Sequence, residues 1–441
     1  MNSVKFLLEK YLSNNDNKEV LKHSLLLFFV KVFFAFIAFL LSIMIARNLT
    51  VDDSGYYFSI ISLVAVLSTI SRVGLDNTVT RFIAKANIDK NKNKVALIFT
   101  TAFRWSAFSS LLVSLTVTAL GVIYIYYAQQ PKSYLILLFI IALLIPITSV
   151  SQILQQSFQG MKKITIFALF SGLARLLTLC FLFLTMLITE SISLNLTLYI
   201  FVGATFISLC LAMLIWTKQN NHNCSFIDRS ENKSLIHEMK SSCLSLWGLS
   251  CLAIVMADGV QIMVGMFSEP SQAAFFAVAV RISGLVAFIL LAINGILSPK
   301  FAEISAESDL NRLQNVYRSA TRLMLLVSSP ILVVIFIFAD DLLLIFGEQF
   351  LEATLVLRLL VVAQFFKVAV GSVGQLLIMS GHEKCQRNNL FFSVLLLMLL
   401  CALLIPLYGA LGGAVATLCA VVMNNLLGLL QVKRKLSITL L

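Results

Sequence analysis

Lys31 sits among phenylalanines and valines in "LFFVKVFFAF", residues 27–36. Six further cations stand in equally apolar surroundings: Arg72, Arg104, Arg175, Arg281, Arg358 and Lys367. One anion, Asp258, shares this placement. A charged side chain at the centre of a bilayer costs about 2.5–3.5 kcal/mol on insertion scales. Such a group faces the protein interior or a water-filled path, unless a long stem lets it snorkel to the headgroups. Ammonium and guanidinium groups lining a path suit an anionic guest, and a cationic guest needs the opposite balance.

Depth within the apolar stretches separates the two readings. Arg72 and Arg358 lie near the ends of their stretches, where snorkelling explains them. Lys31 and Arg104 stand about eight residues in, roughly 12 Å at the helical rise. That is the limit of a snorkelling side chain, and both readings stand for these two. Arg175, Arg281 and Lys367 are deeper and read as interior groups. Gln364, Lys367, Gly371 and Gly374 share one helical face at spacings of three, four and three. Thr148, Gln152, Gln155 and Gln159 form a second polar line, for which hydrogen bonding between helices is the alternative role. Asp258, Gln261 and Gly265 form a third. Asp258 reads either as the neutraliser of a neighbouring arginine or as a site of ion coupling. The candidate anion-binding set is therefore Lys31, Arg104, Arg175, Arg281, Lys367, Gln152, Gln155 and Gln364, with Asp258 as the coupling or charge-pairing group.

The elements that must position these groups are membrane-spanning helices. The chain has 441 residues, 59% of them hydrophobic and 12% charged, with a mean hydropathy of +0.94. A soluble domain carries about a quarter charged residues, and a spanning helix needs about 20 apolar residues. Strings of that length recur along the chain and predict twelve spans, near 24–46, 54–75, 96–123, 134–158, 164–188, 194–217, 243–267, 272–297, 322–347, 353–380, 388–408 and 410–432. The polar start "LEKYLSNNDNKEVLKH" lacks a cleaved signal pattern, so the first span reads as retained. The eight cysteines are scattered without metal or disulfide spacing. The net charge of +12 forms no basic stripe with interleaved aromatics, which argues against a nucleic-acid partner.

The cations sort by side instead. With the N-terminus inside, 24 of the 33 Lys and Arg residues fall on the cytoplasmic side, seven within spans, and only Arg47 and Lys132 outside. The outer loops hold acids such as Asp52, Asp53, Asp340 and Asp341. By the positive-inside rule both termini are expected in the cytoplasm. Residues 55–84 lie on 274–303 at a shift of 219, pairing Tyr57 with Phe276 and Phe82 with Phe301. "SFQGMKK" (157–163) parallels "IMSGHEK" (378–384) at a shift of 221. The chain thus reads as an N-terminal lobe, 1–217, a cytoplasmic connection, 218–242, and a C-terminal lobe, 243–441. Each lobe has six spans, related about an axis along the membrane normal, with the binding site between them.

Several of these stretches are similar to the Wzx-type oligosaccharide flippases. Gly55-Tyr56-Tyr57, Gly74-Leu75-Asp76 and Arg81-Phe82 resemble landmarks of that family's first hairpin. "SFQGMKK" and "IMSGHEK" resemble the ends of its fourth and tenth spans, and "IPLYGALGGAVATL" (405–418) its last hairpin. The resemblance implies an all-α polytopic membrane protein, twelve transmembrane helices in two pseudo-symmetric six-helix lobes around a central cavity. It also implies a place in the multidrug/oligosaccharidyl-lipid/polysaccharide exporter superfamily. It implies transport, not enzymatic turnover: an undecaprenyl-diphosphate-linked oligosaccharide is flipped across a bacterial inner membrane by alternating access, for O-antigen or capsule assembly. A cationic lumen there holds the diphosphate and anionic sugars. No cofactor is implied beyond a coupling proton or sodium ion, and the polysaccharide polymerase machinery is the companion expected in the membrane.

Three rivals are weaker on the residues. A cation-coupled drug exporter of the same superfamily needs membrane-embedded carboxylates, and only Asp258 offers one. A lipid II flippase usually has two further spans. A polymerase or glycosyltransferase needs larger outer loops or acidic clusters than Asp52-Asp53 and Asp340-Asp341 provide, and these pairs suit helix starts.

Overall fold

A computed structural model describes residues 15–89, 91–129, 131, 133–189, 191–219, 229–307 and 309–438. The basic residues Lys5, Lys10, Lys90 and Lys132, the acid Glu190, and 220–228 of the inter-lobe connection lie outside the described residues.

Helices account for nearly all of the described chain. The first six spans are α1 (Asn15–Asn48), α2 (Val51–Ser71), α4 (Lys92–Tyr127), α5 (Ser133–Gly160), α6 (Ile164–Ile188) and α7 (Leu194–Gln219), with the short amphipathic α3 (Leu75–Ile88) between α2 and α4. The second set begins with α8 (Arg229–Phe267) and α9 (Pro270–Ser283). A 3₁₀ turn, Gly284–Val286, joins α9 to α10 (Ala287–Ala306), and α11 (Leu310–Ile337) follows. After α11 come the short α12 (Ala339–Leu344) and a 3₁₀ turn, Glu348–Ala353. The chain closes with α13 (Thr354–Val370), α14 (Val373–Met379) and α15 (Glu383–Leu436). Eleven helical stretches among the described residues are long and apolar enough to cross a bilayer. At 54 residues α15 is far longer than a bilayer core needs, and Gly409, with φ 55° and ψ −129°, breaks it into two spans. The protein is an all-α, multi-pass membrane protein of twelve spans in two six-helix lobes about a central cavity.

Most span boundaries lie within a few residues of the sequence expectation. The tenth does not: a continuous helix over 353–380 is expected, but the helix stops at Val370. Gly371 takes φ 74°, and a methyl there would lie 2.2 Å from the Thr321 hydroxyl oxygen, so only glycine fits this close turn. The polar stripe Gln364, Lys367, Gly371 and Gly374 is therefore not one helical face, because α13 and α14 are separate helices. The ninth span also begins earlier than expected, at Leu310, and ends at Ile337. The apolar run after it forms the separate α12, with Asp340 and Asp341 in its first turn. Asp52 and Asp53 likewise occupy the first turn of α2, where Thr50 caps the Asp53 amide at 3.2 Å.

The expected connection, 218–242, is partly helix. From Arg229 onward it is continuous with the seventh span, and Leu235, Met239 and Cys243 bury at four-residue intervals against α3 and the core of the first lobe. A second seam joins the lobes at the end carrying Arg47. A methyl on Gly55 in α2 would lie 1.8 Å from the Pro270 carbonyl oxygen at the start of α9. Arg47 donates from Nε to the Ile345 carbonyl at 2.7 Å and from Nη2 to that of Leu344 at 3.4 Å, closing over the C-terminus of α12. Phe39 of α1 meets Phe346 edge-on at 5.5 Å.

Because Gly55 has no room for a β-carbon, Gly55→Ala is expected to destabilise the fold by about 1–3 kcal/mol. Gly203→Ala, whose new methyl meets nothing within 4 Å, serves as the neutral control. Thermal unfolding of the two detergent-solubilised variants checks this, and equal melting temperatures would show that the seam is loosely packed.

Candidate functional site

A cavity of about 950 Å³ lies between the lobes. Helices α1, α2, α3, α5, α6 and α7 supply one side, and α8, α9, the 3₁₀ turn and α10 the other. Along α2 it runs from Tyr57 to Arg72, about 22 Å at 1.5 Å per residue. Its charged lining comprises Lys31, Arg72, Arg175 and Arg281 against Asp76 and Asp258.

Arg281 is the most constrained of these. It occupies the last turn of α9, where cations complement the helix C-terminus. Its Nε donates to Ser42 Oγ of α1 at 2.8 Å and its Nη1 to the Ala277 carbonyl at 2.9 Å. Its guanidinium carbon sits 3.9 Å from the centre of the Phe58 ring of α2, a cation–π contact. Arg175, in the middle of α6, presents an exposed side chain to the cavity, and Lys31 a half-buried one. Neither has an ion-pair or hydrogen-bond partner among the described residues. Asp258 accepts a hydrogen bond from Ser62 Oγ at 3.2 Å. No cation pairs with it within 4 Å among the described residues, so it is not tied directly to an arginine.

Of the nine sequence candidates, Lys31, Arg175, Arg281, Gln152 and Asp258 line this cavity. The other four lie elsewhere. Arg104 is exposed on α4, outside the lining. Lys367 is outside the lining: with α13 ending at Val370 it stands in the last helical turn, exposed, against the helix C-terminus. Gln155 is buried beside the cavity wall and donates to Ser151 Oγ at 3.2 Å. Gln364 is half-buried on α13 with its Oε1 unpartnered. The polar line of α5 therefore runs Thr148, Gln152, Gln156, at steps of four, while Gln159 is exposed. Gln156 accepts from Thr80 Oγ1 at 2.9 Å.

Arg72 corrects the snorkelling expectation. It is 7% exposed, lines the cavity, and donates from Nε to Asp76 Oδ1 at 2.6 Å and from Nη2 to Thr69 Oγ1 at 3.0 Å. The turn between α2 and α3 makes the pair: Val73 and Gly74 take positive φ and fold Asp76 back toward Arg72. The four-residue spacing of Arg and Asp was visible in the sequence, but the helix break that brings them together was not. Arg358 does sit near a helix end, its Nη2 3.5 Å from Asp340. Tyr57 and Phe276, paired at the 219-residue shift, both line the cavity, one from each lobe.

The profile of the family described as "Polysaccharide biosynthesis protein" matches residues 20–305, covering five spans of one lobe, most of the first span and the opening helices of the other. The chain belongs to this family. A Haloferax volcanii protein named "Probable low-salt glycan biosynthesis flippase Agl15" is 22% identical over 166 residues; the match spans 37% of this chain and about a third, 35%, of that protein's length. Among solved structures, an inward-facing multidrug resistance MATE family transporter of the MOP superfamily superposes with a TM-score of 0.70. It is 12% identical, with 92% of this chain and 94% of that one covered. Lipid II flippase MurJ in an inward closed conformation gives 0.67 at 13% identity, covering 93% of this chain and 87% of that one. At these identities the likeness is one of fold. The polysaccharide biosynthesis family thus shares its architecture with transporters and flippases.

Removing one member of a buried ion pair strands the other. Arg72→Met is expected to destabilise the protein by about 3–5 kcal/mol, with much of the loss recovered in Arg72→Met/Asp76→Leu. A double-mutant cycle on unfolding measures the coupling, and additive losses would show that the two groups do not depend on each other.

Proposed function

We propose that this protein is a flippase that carries an undecaprenyl-diphosphate-linked oligosaccharide across a bacterial inner membrane, for O-antigen or capsular polysaccharide assembly. The reading rests on the cavity between the lobes, where Arg175 and Lys31 present cationic groups without partners among the described residues and Arg281 keeps part of its guanidinium free. A diphosphate supplies the charge-assisted acceptors that such donors require. Membership of the polysaccharide biosynthesis family and the match to a glycan biosynthesis flippase agree with it.

In this reading the headgroup enters the cavity while the lipid tail stays in the bilayer, and the lobes rock about the site to expose it to each side in turn. The seam at the Arg47 end separates when the cavity opens there. That end faces the periplasm and both termini the cytoplasm, as the distribution of basic residues favours. Asp258, held by Ser62 across the lobe boundary, is the group through which a coupling proton or sodium ion would act. The protein performs no covalent chemistry, and the polysaccharide polymerase machinery receives its product. Arg175 and Lys31 beside Asp258, with Asp76 taken by Arg72, favour this reading over a cation-coupled drug exporter, whose cavity would carry the opposite charge.

Deletion of the gene is expected to make lipid-linked repeat units accumulate on the cytoplasmic leaflet. In complementation, Arg175→Ala should cut surface polysaccharide at least about tenfold, one interaction of about 1.4 kcal/mol. Arg104→Ala and Lys367→Ala, outside the cavity, should complement fully. Wild-type polysaccharide from Arg175→Ala at normal expression would overturn the assignment of the cavity.

A further inference from the structure

Among the described residues the cavity walls hold enough positive charge for a diphosphate and none to spare. Four cations stand against two carboxylates, a net of two positive charges. The Arg72–Asp76 pair, at 2.6 Å and largely buried, cancels its own charge, while Arg72 Nη1 keeps no hydrogen-bond partner among the described residues. Arg281 spends Nε and Nη1 on Ser42 and Ala277 and one face on Phe58. The net charge left for a guest among the described residues is that of Lys31, Arg175 and Arg281, offset by Asp258. A diphosphate linking a lipid to a sugar carries one negative charge on each phosphate and matches that excess.

Elsewhere the lining offers apolar surface. Phe34, Phe39, Tyr57, Phe201, Phe276 and Phe288 put aromatic rings around the cavity, and the polar groups between them are hydroxyls and amides such as Ser68, Thr148 and Gln152. Hydroxyls and amides suit sugar hydroxyls, and rings suit the apolar faces of pyranoses. A sugar carboxylate placed among them would be an unpaired anion in a weakly polar site, which is costly.

Resting on the proposed function, we infer that the oligosaccharide carried by the lipid is uncharged. The diphosphate satisfies the free cations, and uronic or other acidic sugars are disfavoured by the rest of the wall. This departs from the anionic sugars that the family resemblance implies.

The test uses the wild-type protein in nanodiscs at low ionic strength with three probes: undecaprenyl diphosphate, the same lipid bearing a neutral N-acetylglucosamine disaccharide, and the same lipid bearing a disaccharide with one glucuronic acid. Affinities are read by native mass spectrometry. The sugar-free lipid and the neutral-disaccharide lipid are expected to bind, and the glucuronic-acid lipid to bind about tenfold more weakly than the neutral disaccharide. A glucuronic-acid lipid that binds as tightly as the neutral one, or more tightly, overturns this inference and leaves the flippase reading intact. Binding of none of the three overturns both.

Discussion

A guanidinium can sit inside a membrane only if protein groups replace the water it has lost. Arg281 meets that demand by reaching out of its own helix. One nitrogen goes to Ser42 on α1, another to the carbonyl of Ala277, and the flat of the group to the Phe58 ring on α2. Two of these three contacts cross from one lobe to the other. The requirement to solvate one buried cation thereby becomes a constraint on how the two lobes sit. Ser62 repeats the device with the opposite charge, donating from α2 to Asp258 on α8. Polar groups that would be costly in lipid become specific links at the lobe boundary.

The rest of the lobe interface is built from close packing, which a membrane protein needs because lipid gives apolar helices no reason to prefer one another. The Gly55–Pro270 approach and the Phe39–Phe346 contact close the end at Arg47. At the opposite end the polar extension of α8 lays Leu235, Met239 and Cys243 onto the first lobe's own core. Between these seams the walls stand apart, and the cavity occupies the gap. Arg47 itself explains an exception in the charge pattern. An arginine on the acidic side of the bundle finds its counter-charge in the carbonyl ends of a helix in the other lobe.

The spans were legible in the sequence because their signal is additive. Each depends on the summed hydropathy of about 20 residues, so an error at one position changes little, and the boundaries of the fifth span, Ile164–Ile188, came out directly. Tyr57 and Phe276, matched at a common shift in the sequence, both line the cavity. Arg175 and Arg281, read from the sequence as interior groups, both line the cavity. The surroundings of Lys367 and Arg72 were not legible for one cause: each lies beside a break in the helix. Gly371 brings a helix end to Lys367, and Val73-Gly74 folds Asp76 onto Arg72.

Taken alone, the sequence determined that the chain is a multi-pass helical bundle, how many times it crosses, and that it keeps positive charge within the bilayer plane. These follow from composition and local order, which the bilayer reads one segment at a time. Only the tertiary structure decided which of those charges share a cavity and which are already paired. Direction around a helix axis changes by about 100° per residue, so a single glycine kink re-aims every side chain beyond it, and no count of residues records that turn.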